Sequence, residues 1–258
     1  MTKKIYVLLL LLAISVASVA QKRIAATEII RTIKNGDNVT YTNVIIEGNL
    51  DFTSMEEELP KLPKRSSWWN NGGSNTVENT ITAPIRFSKC IFKGDVLAYI
   101  PHEKSGYTFV SNFSGDVIFE DCLFEEKAMF KYSKFKKVAD FSNTKFTNDS
   151  TFKYAYFSDQ ADFSNTLFEE PATFKYAKFD EFISFRNSIF EETATFKYTE
   201  FYEGVSFNNV KFKQDLNLKY TKIKGDFDIR NMEVDYEIDT KYTEINGQSF
   251  SKYSLKTK

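Results

Sequence analysis

The sequence predicts an all-β solenoid in which each coil has four short sides. Phenylalanine recurs at alternating steps of five and six residues from Phe119 to Phe212, and Leu218 and Val234 keep the same rhythm. The repeating unit is therefore 22 residues long. This period matches neither a helical turn nor a simple strand, and self-similarity at about 20 to 50 residues indicates a solenoid.

Each side of a coil is expected to point one small and one large side chain inward. A small or β-branched residue stands two positions before each phenylalanine, as Ala161 does before Phe163. Positions i−2 and i of an extended segment face the same way, and stacked coils lie about 4.8 Å apart. The rings would form four internal columns, each ring contributing roughly 1.5–3 kcal/mol to stability. We interpret the phenylalanines as core.

Two segments carry a resemblance to a known family. Residues 139–143 and 161–165 both read Ala-Asp-Phe-Ser-Asn and resemble the A-[DN]-[LF]-x-x unit of the pentapeptide-repeat family. The resemblance covers roughly residues 39–255 and implies a right-handed quadrilateral parallel β-helix. This chain departs from the plain repeat because two sides of each coil carry one extra residue, so we expect wider corners there.

Residues 1–20 have the pattern of a secretory signal peptide. Lys3 and Lys4 precede an apolar stretch, and small residues surround Ala20. An uncleaved anchor is the alternative, although the apolar run is short for a span of about 20 residues. No transmembrane segment is predicted in the mature chain, and the expected location is periplasmic, extracellular or at the cell surface.

Removing residues 1–20 removes two lysines and no acid, which changes the formal charge from −1 to −3. A negative balance argues against nucleic-acid binding, which favours a basic face. Some pentapeptide-repeat proteins resemble duplex DNA and bind gyrase, but export and so small a charge make that reading less favoured for this chain.

Residues 21–38 are predicted to form an N-terminal segment with a short capping helix, and residues 39–258 to form the repeat domain. Thr27 is the expected N-cap, and Gly36 is expected to end the helix. Ile29, Ile30 and Ile33 fall on one face. Solenoids must cover their exposed terminal coils, so we expect this helix to cap the first coil.

Two interruptions of the rhythm fall between a third and a fourth side of consecutive coils. Insertions of 24 and 10 residues lie within residues 53–80 and 99–112, and we expect them to leave the same flank and to meet. Insertions in solenoids often form the binding face.

The insertions hold four candidate binding residues: Trp68, Trp69, His102 and Tyr107. Exposed tryptophans can stack on a sugar ring or anchor a protein. The alternative is that both tryptophans fold back onto the coils as a local plug.

A third candidate surface follows the corner between the third and fourth sides. We call it the lysine–tyrosine ladder: Lys131, Lys153, Lys175, Lys197, Lys219 and Lys241, with Tyr132, Tyr154, Tyr176, Tyr198, Tyr220 and Tyr242. The ladder either covers the corner and keeps it soluble or binds an anionic glycan or another surface polymer. Paired acids at the preceding corner, such as Glu125 and Glu126, are expected to offset the lysine charges or to hold a divalent cation.

An opposite ladder is interpreted as structural and consists of Asn143, Asn165, Asn187, Asn209 and Asn231.

Cys90 and Cys122 are predicted to be inward neighbours in one column. A Cα separation near 4.8 Å falls inside the disulfide range, and export permits oxidation. In-register parallel strands orient the two side chains poorly for bridging, however. The sequence leaves two alternatives open for this pair: two buried thiols or one disulfide.

The sequence carries no pattern of catalytic chemistry. His102 is the only histidine, and no phosphate loop, dinucleotide motif or nucleophile elbow is present. A threonine column at Thr151, Thr173 and Thr195 suggests an ice-binding array, but other residues interrupt it. We expect no metal and no cofactor.

These observations favour an exported non-enzymatic β-helical scaffold that binds a protein or glycan partner. A carbohydrate-active enzyme on a β-helix is the alternative.

We predict that the exported protein begins at Gln21. A cleaved signal peptide removes residues 1–20, and mass spectrometry of the exported form measures the new N-terminus directly. Retention of these residues in the exported protein would support the anchor instead.

Overall fold

The computed structural model describes residues 21–64 and 75–250 of the chain. In these residues four sheets, one for each side of the coil, form a right-handed parallel β-helix. The predicted fold class is confirmed. The predicted signal peptide, Trp68 and Trp69 lie outside the described residues.

The strands repeat around the coil in the order that the sequence predicts. The first-side strands are Val39–Thr42, Ile85–Ser88, Val117–Glu120, Ala139–Asp140, Ala161–Asp162, Ile183–Ser184, Gly204–Ser206 and Asp226–Asp228. The second-side strands are Lys22–Ala25, Val44–Glu47, Ile91–Phe92, Leu123–Phe124, Lys145–Phe146, Leu167–Phe168, Ile189–Phe190, Lys211–Phe212 and Glu233–Val234. The third-side strands are Leu50–Asp51, Val96–Leu97, Ala128–Met129, Ser150–Thr151, Ala172–Thr173, Ala194–Thr195, Leu216–Asn217 and Ile238–Asp239. The fourth-side strands are Thr76–Ile81, Tyr107–Phe113, Lys134–Phe135, Tyr156–Phe157, Lys178–Phe179, Glu200–Phe201, Lys222–Ile223 and Glu244–Ile245, with Tyr99–His102 and Gln248–Ser249 added antiparallel.

Coils stack in strict register, so each inward side chain lies on its equivalent in the next coil. Phe124 pairs with Phe146, and Phe146 pairs with Phe168. Their ring centroids are 4.7 and 5.1 Å apart, with nearly parallel planes. Each inward residue thereby acquires a stacking partner above and below.

Contacts between columns fill the centre of the helix. Phe163 stacks on Phe141 at 4.9 Å and on Phe185 at 5.3 Å, and its neighbours Phe152 and Phe174 meet it edge-on at 5.0 and 5.3 Å. Offset stacks and edge contacts are the favourable arrangements of aromatic rings. Phe163 is completely buried, so the core interpretation of the phenylalanines holds for this column.

The five-residue steps turn through a tight corner with one left-handed residue. The Ala177 N–H donates to the Phe174 carbonyl at 2.8 Å, and Tyr176 between them has φ of 61°. On the other tight corner, Asn187 has φ of 60°. A hydrogen-bonded turn with positive φ at its third residue has the geometry that type II turns require. At the six-residue steps of the described chain the extra residue makes a wider corner that needs no left-handed residue other than glycine.

The N-terminal segment begins with a strand that the sequence analysis did not foresee. Lys22–Ala25 pairs in parallel with Val44–Glu47, and helix α1 (Ala26–Lys34) follows without a break. Thr27 therefore lies inside the first turn, and its prediction as N-cap was wrong. The pairing holds Ala25 in an extended conformation, so the chain enters the helix two residues earlier than the capping pattern suggests.

Helix α1 packs against the first coil. Ile29 is completely buried, and Ile30 and Ile33 are partly buried against the core. Gly36 ends the helix with φ of 81°, and its N–H donates to the Ile33 carbonyl at 2.9 Å. A left-handed residue directly after the helix is a common C-terminal cap, and glycine adopts it without steric cost.

The last coil is closed by a short reversal of the chain. Gln248–Ser249 pairs antiparallel with Glu244–Ile245 on the fourth side. Phe250 is buried, and its ring lies 6.2 Å from that of Phe227. Aliphatic side chains replace phenylalanine in this coil, and several, such as Val234, are only partly buried.

We predict that Phe163→Ala lowers the free energy of unfolding by about 3–5 kcal/mol, because a rigid stack cannot collapse into the cavity. Phe182→Ala is the matched control, since this phenylalanine is 42% exposed and its loss should cost less than about 0.5 kcal/mol. Urea unfolding of both variants measures the difference. A loss below about 1 kcal/mol for Phe163→Ala would show that this ring does not behave as core.

Candidate functional site

The two insertions return to the coil as neighbouring extended strands. Thr76–Ile81 pairs in parallel with Tyr107–Phe113 over six residues. The phenol of Tyr107 donates to the Pro63 carbonyl at 3.1 Å, which ties the second insertion to the first. The described parts of both insertions therefore share one flank of the β-helix.

The first insertion leaves the coil through a short helical segment. Helix α2 (Met55–Glu58) and a 3-10 turn (Leu59–Lys61) follow the third side of the first coil. Ser54, just before them, has φ of 55° and occupies the same tight-corner position as the ladder tyrosines.

The second insertion is a β-hairpin. Tyr99–His102 runs antiparallel to Tyr107–Phe113, and the His102 Nδ1 lies 2.7 Å from the hydroxyl of Ser105 in the turn. His102 is half-buried and Tyr107 is buried, so both predicted site residues make contacts within the insertions. Neither of them belongs to the lysine–tyrosine ladder.

The ladder tyrosines form one continuous stack along the corner between the third and fourth sides. Ring centroids from Tyr132 to Tyr242 are spaced 4.6–4.8 Å apart. Most ring faces are therefore covered by another ring, and mainly their edges and hydroxyls face solvent. Sugar stacking on ring faces, one use of exposed aromatics, is not available in the middle of this stack.

Each ladder lysine lies over the ring of the tyrosine that follows it. The Nζ atoms lie between 4.9 and 5.7 Å from the ring centroids, within the range of a cation–π interaction. The tyrosine stack thus holds the ammonium groups in a column with the same repeat. Between the first and last ladder lysines this column spans roughly 24 Å.

The expected neutralisation of this column by corner acids was wrong. Glu169 pairs with Lys145 at 2.7 Å, Glu191 with Lys213 at 2.9 Å, and Glu125 with Lys93. These partners lie on the second side or at its corner, nearer to the glutamates than the ladder is. In the described part of the chain no ladder lysine forms an ion pair.

The electrostatic environment of the ladder reflects this lack of counter-charge. Burial and the positive charges of Lys131 and Lys175 hold the pKa of Lys153 below its usual value. Burial and the neighbouring tyrosines raise the pKa of Tyr154. Two ammonium groups at about 4.7 Å repel by about 1 kcal/mol even in water.

Tyr99 closes the N-terminal end of the ladder, and the sequence analysis missed it. Its buried ring lies 5.9 Å from that of Tyr132, and its hydroxyl accepts a hydrogen bond from Lys131 Nζ at 3.1 Å. Tyr99 follows Ala98 directly, so it stands where later coils have lysine, and this register was the available signal. At the other end Tyr242 is 59% exposed, so nothing in the described residues covers the ladder there.

Two shallow grooves flank the ladder. The third-side groove has a volume of about 440 Å³, and its lining includes Tyr99, Lys131, Asp149, Thr151, Thr173 and Thr195. The fourth-side groove has a volume of about 430 Å³, and its lining includes Glu78, Tyr99, Lys131, Tyr132, Lys134 and Tyr156. Lys131 and Tyr99 belong to both grooves.

The two cysteines are free and buried. Each thiol points toward a backbone carbonyl of the preceding coil, Cys122 toward Phe87 and Cys90 toward Tyr41, at 3.5 Å in both cases. Thr166 makes the equivalent bond to the Phe141 carbonyl at 3.0 Å further along the same column. The thiols therefore fill positions that hydroxyls fill elsewhere, and burial raises the pKa of Cys122.

The turn geometry and the repeat register agree with a comparison to known families. A family model for pentapeptide repeats, in nine copies, matches residues 130–178, 152–200 and 174–222. Residues 130–222 therefore consist of tandem pentapeptide repeats of this family. They lie within the most regular coils of the protein, and the same register continues on both sides of them. No curated protein and no solved structure is significantly similar to the chain.

Two further structural observations concern metals and membranes. Within residues 21–64 and 75–250, no three histidine, cysteine or acidic side chains converge as metal ligands would. The helices of these residues are too short to span a membrane.

We predict that Tyr176→Val destabilises the protein by about 1–2 kcal/mol more than Tyr176→Asn. Both variants lose the ring stack, but a β-branched residue is strained at positive φ whereas asparagine tolerates it. Asparagine already occupies the opposite tight corner, as at Asn187, so it is the matched reference. Equal unfolding midpoints in urea for the two variants would contradict this account of the corner.

We predict that Lys153 titrates below an ordinary lysine, whereas Lys61 titrates above one because it donates to Glu58. Carbon-13 NMR of the lysine Cε atoms measures both. In a Lys131→Gln/Lys175→Gln variant the pKa of Lys153 should rise only partly, because burial is the larger cause.

The same shift has a consequence for stability. The unfolded chain keeps the Lys153 proton to higher pH than the folded chain does. The contribution of Lys153 to stability therefore becomes more favourable as pH rises from the folded pKa toward the ordinary value. A pKa of Lys153 at or above that of Lys61 would contradict both statements.

Proposed function

We propose that this protein is an exported, non-enzymatic scaffold that binds an extended anionic partner along its lysine–tyrosine ladder. The observation that carries the proposal is a column of six lysines, one per coil, which have no ion pair among the described residues. A rigid row of like charges is complementary to a row of opposite charges.

Two other outward columns that contain lysine also contain acids that pair with it. On the fourth side Lys178 meets Glu200 of the next coil at 3.5 Å. On the second side Lys211 meets Glu233 of the next coil at 3.7 Å. The ladder differs from these columns because it repeats one charge from Lys131 to Lys241 without an acid.

Stability alone does not account for the ladder lysines. A cation–π contact at an exposed site contributes roughly 0.5–1 kcal/mol, which is similar to the repulsion of about 1 kcal/mol between neighbouring ammonium groups. A lysine at every coil therefore adds little net stability. Bound anions would relieve the repulsion, and salt would weaken the binding by screening.

Export supports an extracellular or periplasmic partner, since residues 1–20 have the signal-peptide pattern. The negative formal charge of the mature chain disfavours nucleic acids as that partner. Surface polymers and acidic proteins of the cell envelope fit both conditions.

The test compares two triple variants with the same change in net charge. Lys153→Gln/Lys175→Gln/Lys197→Gln removes ladder charges, and Lys145→Gln/Lys178→Gln/Lys213→Gln removes ion-paired lysines of other surfaces. Binding to immobilised polyuronate, sulfated glycan, polyphosphate and a DNA oligonucleotide is measured over a range of salt concentrations.

We expect the ladder variant to lose about tenfold or more in affinity for at least one polyanion. The control variant should keep its affinity within about twofold. Equal losses in both variants would mean that net charge alone matters, and absence of binding to every polyanion would contradict the proposal.

A further inference from the structure

We infer that the ligand of the ladder is a linear acidic polysaccharide with one carboxylate per sugar residue, lying parallel to the coil axis along the ladder lysines and the threonines beside them. This inference rests on the proposed function and adds the chemistry and the orientation of the partner. Three features carry it: the repeat of the ammonium column, the covered tyrosine faces and the threonines beside the lysines.

The first feature is the repeat distance. The tyrosine rings that hold the lysines are 4.6–4.8 Å apart, so the ammonium groups repeat at the same interval. An extended chain of pyranose rings advances by a similar distance per ring. A polyuronate lying along the axis therefore advances by about one ring per coil. Successive rings are turned about the chain axis, so the carboxylates that face the ladder meet the ammonium column at a multiple of the coil repeat.

The second feature is the tyrosine stack, which excludes the common mode of sugar recognition at this corner. Most ring faces of the ladder are covered by neighbouring rings at these spacings, so stacking of a sugar on a ring face is blocked. Recognition must come from charges and hydroxyl groups. A ligand with a charge on every unit satisfies this condition better than a neutral glycan.

The third feature is a column of hydroxyls next to the lysines. Thr151, Thr173 and Thr195 line the third-side groove at one residue per coil, two positions before their ladder lysines. The Thr151 and Thr173 hydroxyls each accept a hydrogen bond of 3.4 Å from a lysine backbone N–H. Among residues 21–64 and 75–250 neither hydroxyl donates a hydrogen bond, so its proton can be donated to a sugar oxygen. Lysines and threonines thus present two parallel rows with the same repeat.

The ends of the ladder define the direction in which a polymer can extend. Tyr99 and its hairpin block the N-terminal end, whereas the ladder continues to the exposed Tyr242 at the other end. Asp149 on the groove lining can accept a hydrogen bond from a sugar hydroxyl, although its charge disfavours a carboxylate there. A ligand would therefore gain affinity with each added residue until it covers the six ladder lysines.

The experiment measures the affinity of the protein lacking residues 1–20 for oligomannuronates of increasing length by isothermal titration calorimetry. Neutral cello-oligosaccharides of the same lengths test the need for charge, and polyphosphates of equal charge number test the need for spacing. We expect the dissociation constant of the oligomannuronates to fall with length and to level off at about six residues, the length that spans the six ladder lysines.

Two variants with the same chemical change test the threonine row. Thr173→Val removes a groove hydroxyl, and Thr40→Val removes an exposed hydroxyl from a first-side strand. Thr173→Val should weaken oligomannuronate binding about threefold to tenfold and leave polyphosphate binding unchanged. Thr40→Val should change neither, and thermal unfolding checks that both variants fold.

The outcomes separate this inference from the proposed function. Equal affinity for oligomannuronate and polyphosphate at equal charge, or stronger ladder-dependent binding of DNA or sulfated glycan, overturns the inference and leaves the proposed function standing. No effect of Thr173→Val on oligomannuronate binding also overturns it. If no polyanion binds in a ladder-dependent way, both fail.

Discussion

Backbone hydrogen bonding between in-register coils is the constraint on which the rest of this structure depends. The Phe163 N–H donates to the Ser184 carbonyl of the next coil at 2.8 Å, and equivalent bonds join the coils on all four sides. These bonds fix the coil repeat, so in the coils without insertions every side chain lies next to the residue 22 positions away. Inside, this favours identical apolar rings, whose stacking is attractive. Outside, it brings like charges together unless the sequence alternates them.

Two residue types, asparagine and tyrosine, occupy the left-handed position of the two tight corners. Both corners need a residue at positive φ, and asparagine is the expected solution because it tolerates that region. Asn187, Asn209 and Asn231 also bond to one another through their amides, at 2.8–3.1 Å. Tyrosine has no such tolerance, so its place at the other corner is explained by its stack with the neighbouring rings. Stacking offsets a local strain of order 1 kcal/mol or more per residue.

The repeat made the fold predictable, whereas the site was predictable only where it follows the repeat. The phenylalanine period alone placed the columns, the corners and the flank of the insertions. The prediction of Thr27 as N-cap failed because a capping pattern considers only the residues of the helix start. Here the strand pairing of Lys22–Ala25 determines where the helix begins. The partners of Glu169 and Glu191 were missed because sequence spacing gives the coil position of a side chain but not its direction of reach. Trp68 and Trp69 remain predictions from the sequence.

Comparing equivalent positions of successive coils shows which positions of the repeat the fold restricts to one kind of residue. The large inward positions vary little because they hold rings or aliphatic groups at the centre of the coil, and the asparagine corner varies little because of its φ. The ladder lysine has no such structural reason, since the equivalent positions of the first two coils are Thr53 and Tyr99. Both of those coils carry the insertions, and both lack the ladder. Lysine appears at this position at the first coil beyond the hairpin and then in every coil to Lys241, where the column is open to an extended ligand. The proposed ligand with the same repeat would account for a position that is free to vary, yet carries the same unneutralised charge in six successive coils.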